Sequence, residues 1–134
     1  MKQTKPLLIS LMVLTALLFT QCGKSASPAE AAMASAQECY NHLLAGEYDG
    51  FLAGRADADS LPAEYREQLL VSYKQFRLQQ EKSHGGIQGI TAIRALVDTL
   101  SSSAQVFMMI NFSDEQKEVV VVPMVEREGK WQMK

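Results

Sequence analysis

The chain has 134 residues, with 13 basic and 15 acidic side chains and a formal charge of −2. No run of Lys or Arg appears anywhere, which argues against a nucleic-acid partner and against adsorption on anionic lipid. Two cysteines and two well-separated histidines exclude a disulfide framework and a Cys/His zinc spacing, and the length suits one domain, not two.

Lys2 and Lys5 precede an apolar run from Leu7 to Phe19, which closes on Thr20, Gln21 and Cys22. That order of basic, apolar and short polar segments is a secretory leader. Its apolar run is too short to cross a bilayer as a helix, which takes about 20 residues. Leu18-Phe19-Thr20-Gln21-Cys22 resembles the bacterial lipobox, although Gln21 stands where a small residue is usual and Leu18 lies one place further from the cysteine. The resemblance implies cleavage before Cys22 and acylation of that residue, so residues 1–21 are read as signal and 22–26 as tether. The other reading is an ordinary leader cut after Ala26 or Ser27. Loss of Lys2 and Lys5 takes the formal charge to −4. Acyl chains on Cys22 would anchor the protein without a spanning segment, each buried methylene contributing about 0.8 kcal/mol. No Asp/Glu cluster follows Cys22, which favours the periplasmic face of an outer membrane over surface display.

Residues 27–134 read as a single α+β domain. Ser27-Pro28-Ala29-Glu30 has the form of a capping box with Pro at the first helical position. Ala32, Ala36, Cys39, Tyr40 and Leu43 then recur on one helical face, and Gly46 suits the stop. A short helix is expected over 48–53, from the spacing of Tyr48, Phe51 and Leu52. A solvated loop over 55–60 follows, carrying Asp57 and Asp59. Leu61-Pro62-Ala63-Glu64 opens a longer helix whose stripe is Tyr65, Leu69, Tyr73 and Phe76, and Ser83-His84-Gly85-Gly86 ends it.

After Gly86 the period changes from helix to strand. Ile87–Thr99, Ala104–Phe112, Glu118–Glu126 and Trp131–Lys134 are four expected strands, joined by turns at Ser101–Ser103, Ser113–Gln116 and Arg127–Lys130. The short connections predict an antiparallel meander. Pro123 cannot donate to a ladder and is expected at a bulge or an edge.

Three helices whose apolar stripes need covering, followed by four strands with one apolar face, define three N-terminal helices packed on a curved antiparallel sheet. That order, with Ala45-Gly46-Glu47-Tyr48-Asp49-Gly50-Phe51-Leu52 between the first helices and Glu128-Gly129-Lys130-Trp131 between the last strands, resembles the cone-shaped nuclear transport factor 2-like superfamily, and its small bacterial lipoproteins in particular. The resemblance implies a pocket at the wide end of the cone, used for ligands, partners or, in ketosteroid isomerases and related dehydratases, catalysis.

Catalysis of that kind needs an acid or base in an apolar pocket with a donor facing it. Tyr40, His42, Asp49, Arg94 and Asp98 are the available groups. Each has a bland explanation: packing for Tyr40, exposure for His42, helix initiation for Asp49, and a solvated or cross-strand role for Arg94 and Asp98. Cys39 on an apolar stripe is expected to be an inert buried thiol. Gly85-Gly86-Ile87-Gln88-Gly89 lacks the Lys and Ser/Thr of a phosphate loop, so no cofactor is expected. The expected function is therefore a non-enzymatic, membrane-anchored module that binds a small apolar ligand or a periplasmic protein partner. The expected pocket draws on Tyr40, Phe51, Tyr65 and Phe76 from the helices and on Ile93, Met108 and Val120 from the strands. The alternative is a pocket enzyme of the isomerase or dehydratase type.

Overall fold

Ser27 starts the first helix by a reciprocal exchange. Its hydroxyl accepts from the Glu30 amide at 3.2 Å, and the Glu30 carboxylate accepts from the Ser27 amide at 3.4 Å. The computed structural model describes residues 25–134. The leader, Cys22 and the first part of the tether lie outside them. Helix α1 runs Pro28–Leu44 and is alanine-rich, which suits both helix formation and close packing. Its buried residues, Ala32, Ala36, Cys39 and Leu43, repeat at helical spacing. Gly46, at φ 77°, supplies the left-handed turn that reverses the chain. Helix α2 (Tyr48–Ala53) buries Phe51 and Leu52, and α3 (Ala63–His84) stops on Gly85 in the left-handed conformation.

The sheet is an antiparallel meander in the order β1 (Ile87–Asp98), β2 (Ser103–Phe112), β3 (Lys117–Arg127) and β4 (Lys130–Met133). Glu128 and Gly129 both have positive φ and form the tight β3–β4 turn. Alternation puts Ala104, Val106, Met108, Ile110 and Phe112 of β2 on the inner face, all buried. They meet Ile90 from β1 and Val122 and Met124 from β3. Met108, Met124 and Met133 fill this core. Helix α1 lies across β1 and reaches β4, so its small-residue stripe presses directly on the inner face.

Two irregularities curl the sheet. The β1–β2 register skips Gln88 and then Ile93, so each is an extra residue in β1. Beyond the second bulge the inward positions change from even to odd: Ile90 and Ala92 face in before it, Ala95 and Val97 after it. Such bulges bend and twist the strand that carries them. Pro123 does not sit at a bulge; its register with Gln105 is unbroken. Its carbonyl accepts from the Lys134 amide at 2.9 Å, so its imino nitrogen faces the β4 side where that strand ends. This is the edge alternative.

The 55–60 segment is not the freely solvated loop that its composition predicts. It forms a 3-10 turn at Ala58–Ser60 and is tied to the end of β4, where Ala56 donates to the Met133 carbonyl and Met133 donates to the Gly54 carbonyl, both at 2.8 Å. Arg55 pairs with Asp57 through two 2.8 Å hydrogen bonds. Helix α3 also departs from expectation, since none of its residues is buried and Tyr65 is 46% exposed. The stripe of α3 faces a gap between helix and sheet instead of a packed interior.

Candidate functional site

That gap is a cavity of about 400 Å³. Its helical walls are Tyr40 and Leu43 from α1, Phe51 from α2, and Tyr73, Phe76 and Gln80 from α3. The sheet contributes Ile110 and Phe112 from β2 and Glu118 and Val120 from β3. The aromatic wall is built edge to face. Tyr40 and Phe51 have ring centroids 5.2 Å apart at 71°, and Phe51 and Tyr73 are 4.8 Å apart at 84°. These are favourable quadrupole arrangements, each contributing about 0.5–1.5 kcal/mol beyond area burial. Phe112 is held from behind by the His84 ring, stacked at 4.1 Å and 22°, while the His84 Nδ1 lies 2.8 Å from the Asp114 carboxylate. The end of α3 is thereby clasped to the β2–β3 turn, which sets one wall of the cavity.

Burial pushes the Tyr40 phenol up to about 12, and burial also raises the Tyr73 phenol. Both stay neutral at physiological pH and can donate or accept a hydrogen bond. Among the described residues, Glu118 is the only charged side chain in the lining, and it is exposed.

Of the seven residues expected from sequence, Tyr40, Phe51, Phe76 and Val120 line this cavity. Three do not. Tyr65 lies in the first turn of α3 and projects to solvent. Ile93 is the bulge residue of β1 and is 44% exposed, because the extra residue has no partner to hold it inward. Met108 faces inward but is fully buried in the core, away from the lining. Lipidation of Cys22 falls outside the described residues.

Sequence reasoning missed Tyr73 as a site residue, although it lies on the α3 stripe, and it missed Leu43, Gln80, Ile110, Phe112 and Glu118. Glu118 had a signal: two residues before the inward Val120, it must share that face of β3. Gln80 follows Phe76 by one helical turn and had the same kind of signal.

The other polar candidates are accounted for elsewhere. His42 lies 3.5 Å from Glu47, half-exposed, and Asp49 pairs with Arg66 at 3.4 Å. The Arg94 guanidinium lies 4.1 Å over the ring of Phe107, its cross-strand partner. Asp98 accepts from the Leu100 and Ser101 amides at 3.0 and 3.3 Å and caps the β1–β2 turn. Cys39 and His42 both border a smaller cleft of about 240 Å³, but burial raises the Cys39 thiol, the opposite of activation. Among the described residues no cluster of His, Cys, Asp or Glu is arranged to hold a metal, and no helix is long and apolar enough to cross a membrane.

No family model matches the chain, and no curated protein matches it. Among solved structures it is similar to a Campylobacter jejuni protein assigned as an NTF2-like transpeptidase. The TM-score is 0.59 at 12% sequence identity, over 73% of this chain and 92% of that one. At that identity the likeness speaks for the fold alone. The chain has the nuclear transport factor 2-like fold: three helices followed by a curled four-stranded antiparallel sheet, shaped as an α+β cone.

Proposed function

We propose that this chain is a membrane-anchored binding module, non-enzymatic, that takes a small apolar ligand, or an apolar segment of a periplasmic protein, into the cavity beneath its curled sheet. The observation that carries the reading is the lining: five aromatic rings and three aliphatic side chains around about 400 Å³, within the usual size range of ligand sites. The anchor rests on the leader and on Cys22.

A ligand buried there should raise the melting temperature, because binding the native state alone stabilises it by about 2.7 kcal/mol at a hundredfold excess over Kd. Val120→Trp, which fills the cavity from the sheet side, should abolish that response while leaving the fold intact. Retention of the full response would place the ligand elsewhere and sink the cavity reading. For the anchor, the wild-type protein should sediment with membranes of a Gram-negative host, and Cys22→Ala should be released from them. Equal partitioning of the two forms would exclude lipidation.

One observation favours the pocket-enzyme reading: a carboxylate and two neutral phenols share the cavity. Binding is preferred because Glu118 is exposed and screened by water, whereas a general base of this kind is tuned by an apolar enclosure. Proton exchange on a ketone that depends on Glu118 would reverse the preference. Nothing favours the transpeptidase activity named for the structural neighbour, since among the described residues the lining contains no Ser, Thr, Cys or Lys to act as a nucleophile.

A further inference from the structure

We infer that the ligand of this cavity is an amphiphile with a hydrocarbon body and a cationic amine head. The inference rests on the cavity reading above and names the chemistry of its occupant.

The polar groups of the lining, tyrosine hydroxyls apart, are gathered at one end. Gln80 lies one helical turn before His84, which is bonded to Asp114 in the β2–β3 turn. Glu118 is the second residue of β3, leaving the same turn. Both therefore mark the end of the cavity beside that turn, and Leu43, Phe51 and Ile110 supply its apolar walls. The neighbouring Lys117 belongs to the opposite face of β3 by alternation.

The sign of the field is what selects the head group. Among the described residues the lining includes a carboxylate and no Lys, Arg or His, so an anionic head meets repulsion and nothing to pair with. Glu118 makes no ion pair among the described residues, which leaves it available to a ligand. Arg55, a cation beside Tyr73, is already paired by its twofold contact with Asp57. Phe76, one helical turn before Gln80, and Phe112, the last residue of β2, bring aromatic rings to the same end as Glu118, and aromatic faces attract ammonium groups through their quadrupole. An uncharged head would leave the carboxylate unused, and an acid would be rejected by it.

Three probes of matched length separate the possibilities: decyltrimethylammonium, decanol and decanoate, each titrated calorimetrically into the purified full chain below its micellar concentration. The ammonium should bind on the order of tenfold more tightly than decanol, and decanoate more weakly than decanol. Glu118→Gln should collapse the ammonium preference, bringing the ammonium-to-decanol affinity ratio to about one. The preference should also shrink with added salt, because Glu118 is exposed. Decanoate binding as well as the ammonium, or a preference that survives Glu118→Gln, overturns the amine inference and leaves the cavity reading standing. Failure of all three probes to bind would remove both.

Discussion

Gln37 completes the hydrogen bonding of β1 where Ala92 leaves it open. The Ala92 amide donates to Gln37 Oε1 at 2.8 Å, and Gln37 Nε2 donates to the Ile90 carbonyl, also at 2.8 Å. β1 is an edge strand, and these two groups point away from β2. One side-chain amide thus stands in for a missing strand just before the Ile93 bulge. It also covers an edge that could otherwise pair with another chain. Gln37→Ala should leave a part-buried donor and acceptor without partners and cost about 1–3 kcal/mol, read from chemical denaturation. A cost below the error of that measurement would mean that water replaces the amide freely.

Gly54 and Cys39 set the approach of α2 to α1. A β-carbon on Gly54 would overlap the Cys39 sulfur, so Gly54→Ala should destabilise by about 1–3 kcal/mol through overpacking. Cys39→Ala in the same chain should recover part of that loss, because it removes the obstructing atom. Simple additivity in the double-mutant cycle would show that the two positions do not press on one another. The same burial, with Cys39 8% exposed, predicts slow thiol labelling of the folded protein and fast labelling once it unfolds.

Tyr40 should be the late-ionising phenol among the four tyrosines. Its ordinary value of 10.0 is pushed up to about 12 by burial, so the folded state resists losing that proton. The unfolded chain loses it first, and stability should therefore decline as pH rises from about 10 to 12. Ultraviolet titration should show a phenolate step near 12 that Tyr40→Phe removes. Persistence of the step in the variant would assign it to Tyr73.

At the acid end the relevant pair is Arg55 and Asp57. The Arg55 guanidinium holds the Asp57 carboxyl below its ordinary 3.8, and the Ser101 and His84 side chains do the same for Asp98 and Asp114. A depressed carboxyl contributes stability that is present above its unfolded value and is lost as pH falls below it. The melting temperature should accordingly drop below pH 3.8, less steeply in Asp57→Asn than in wild type. Parallel curves for the two proteins would mean that the Arg55–Asp57 contact does not hold the 54–57 segment to β4.

Much of this architecture is legible in local chemistry. Ser27, Pro28 and Glu30 announce the start of α1, Gly46 and Gly85 its end and that of α3, and Glu128-Gly129 the last turn. Each acts through neighbours within a few residues, so the sequence states them directly. The inward alternation of Val106, Met108 and Ile110 is equally local. The cavity was only half legible, because a stripe tells which face a helix turns inward but not whether that face meets a packed core or a gap. Met108 and Val120 share one face of the sheet and are directly paired, yet one is sealed in the core and the other lines the cavity.

The elements, their order, their apolar faces and the meander that connects them thus follow from capping, turn geometry and periodicity, which are short-range. The remaining features come from contacts between distant parts of the chain. The bulges at Gln88 and Ile93 reversed the facing of half of β1, the Gln37 amide closed its edge, and the end of β4 tied down the backbone at Gly54 and Ala56. The stand-off of α3 made a cavity of what the stripe alone would have called a core. Each depends on which distant groups come within bonding or packing range, and no local pattern encodes that distance.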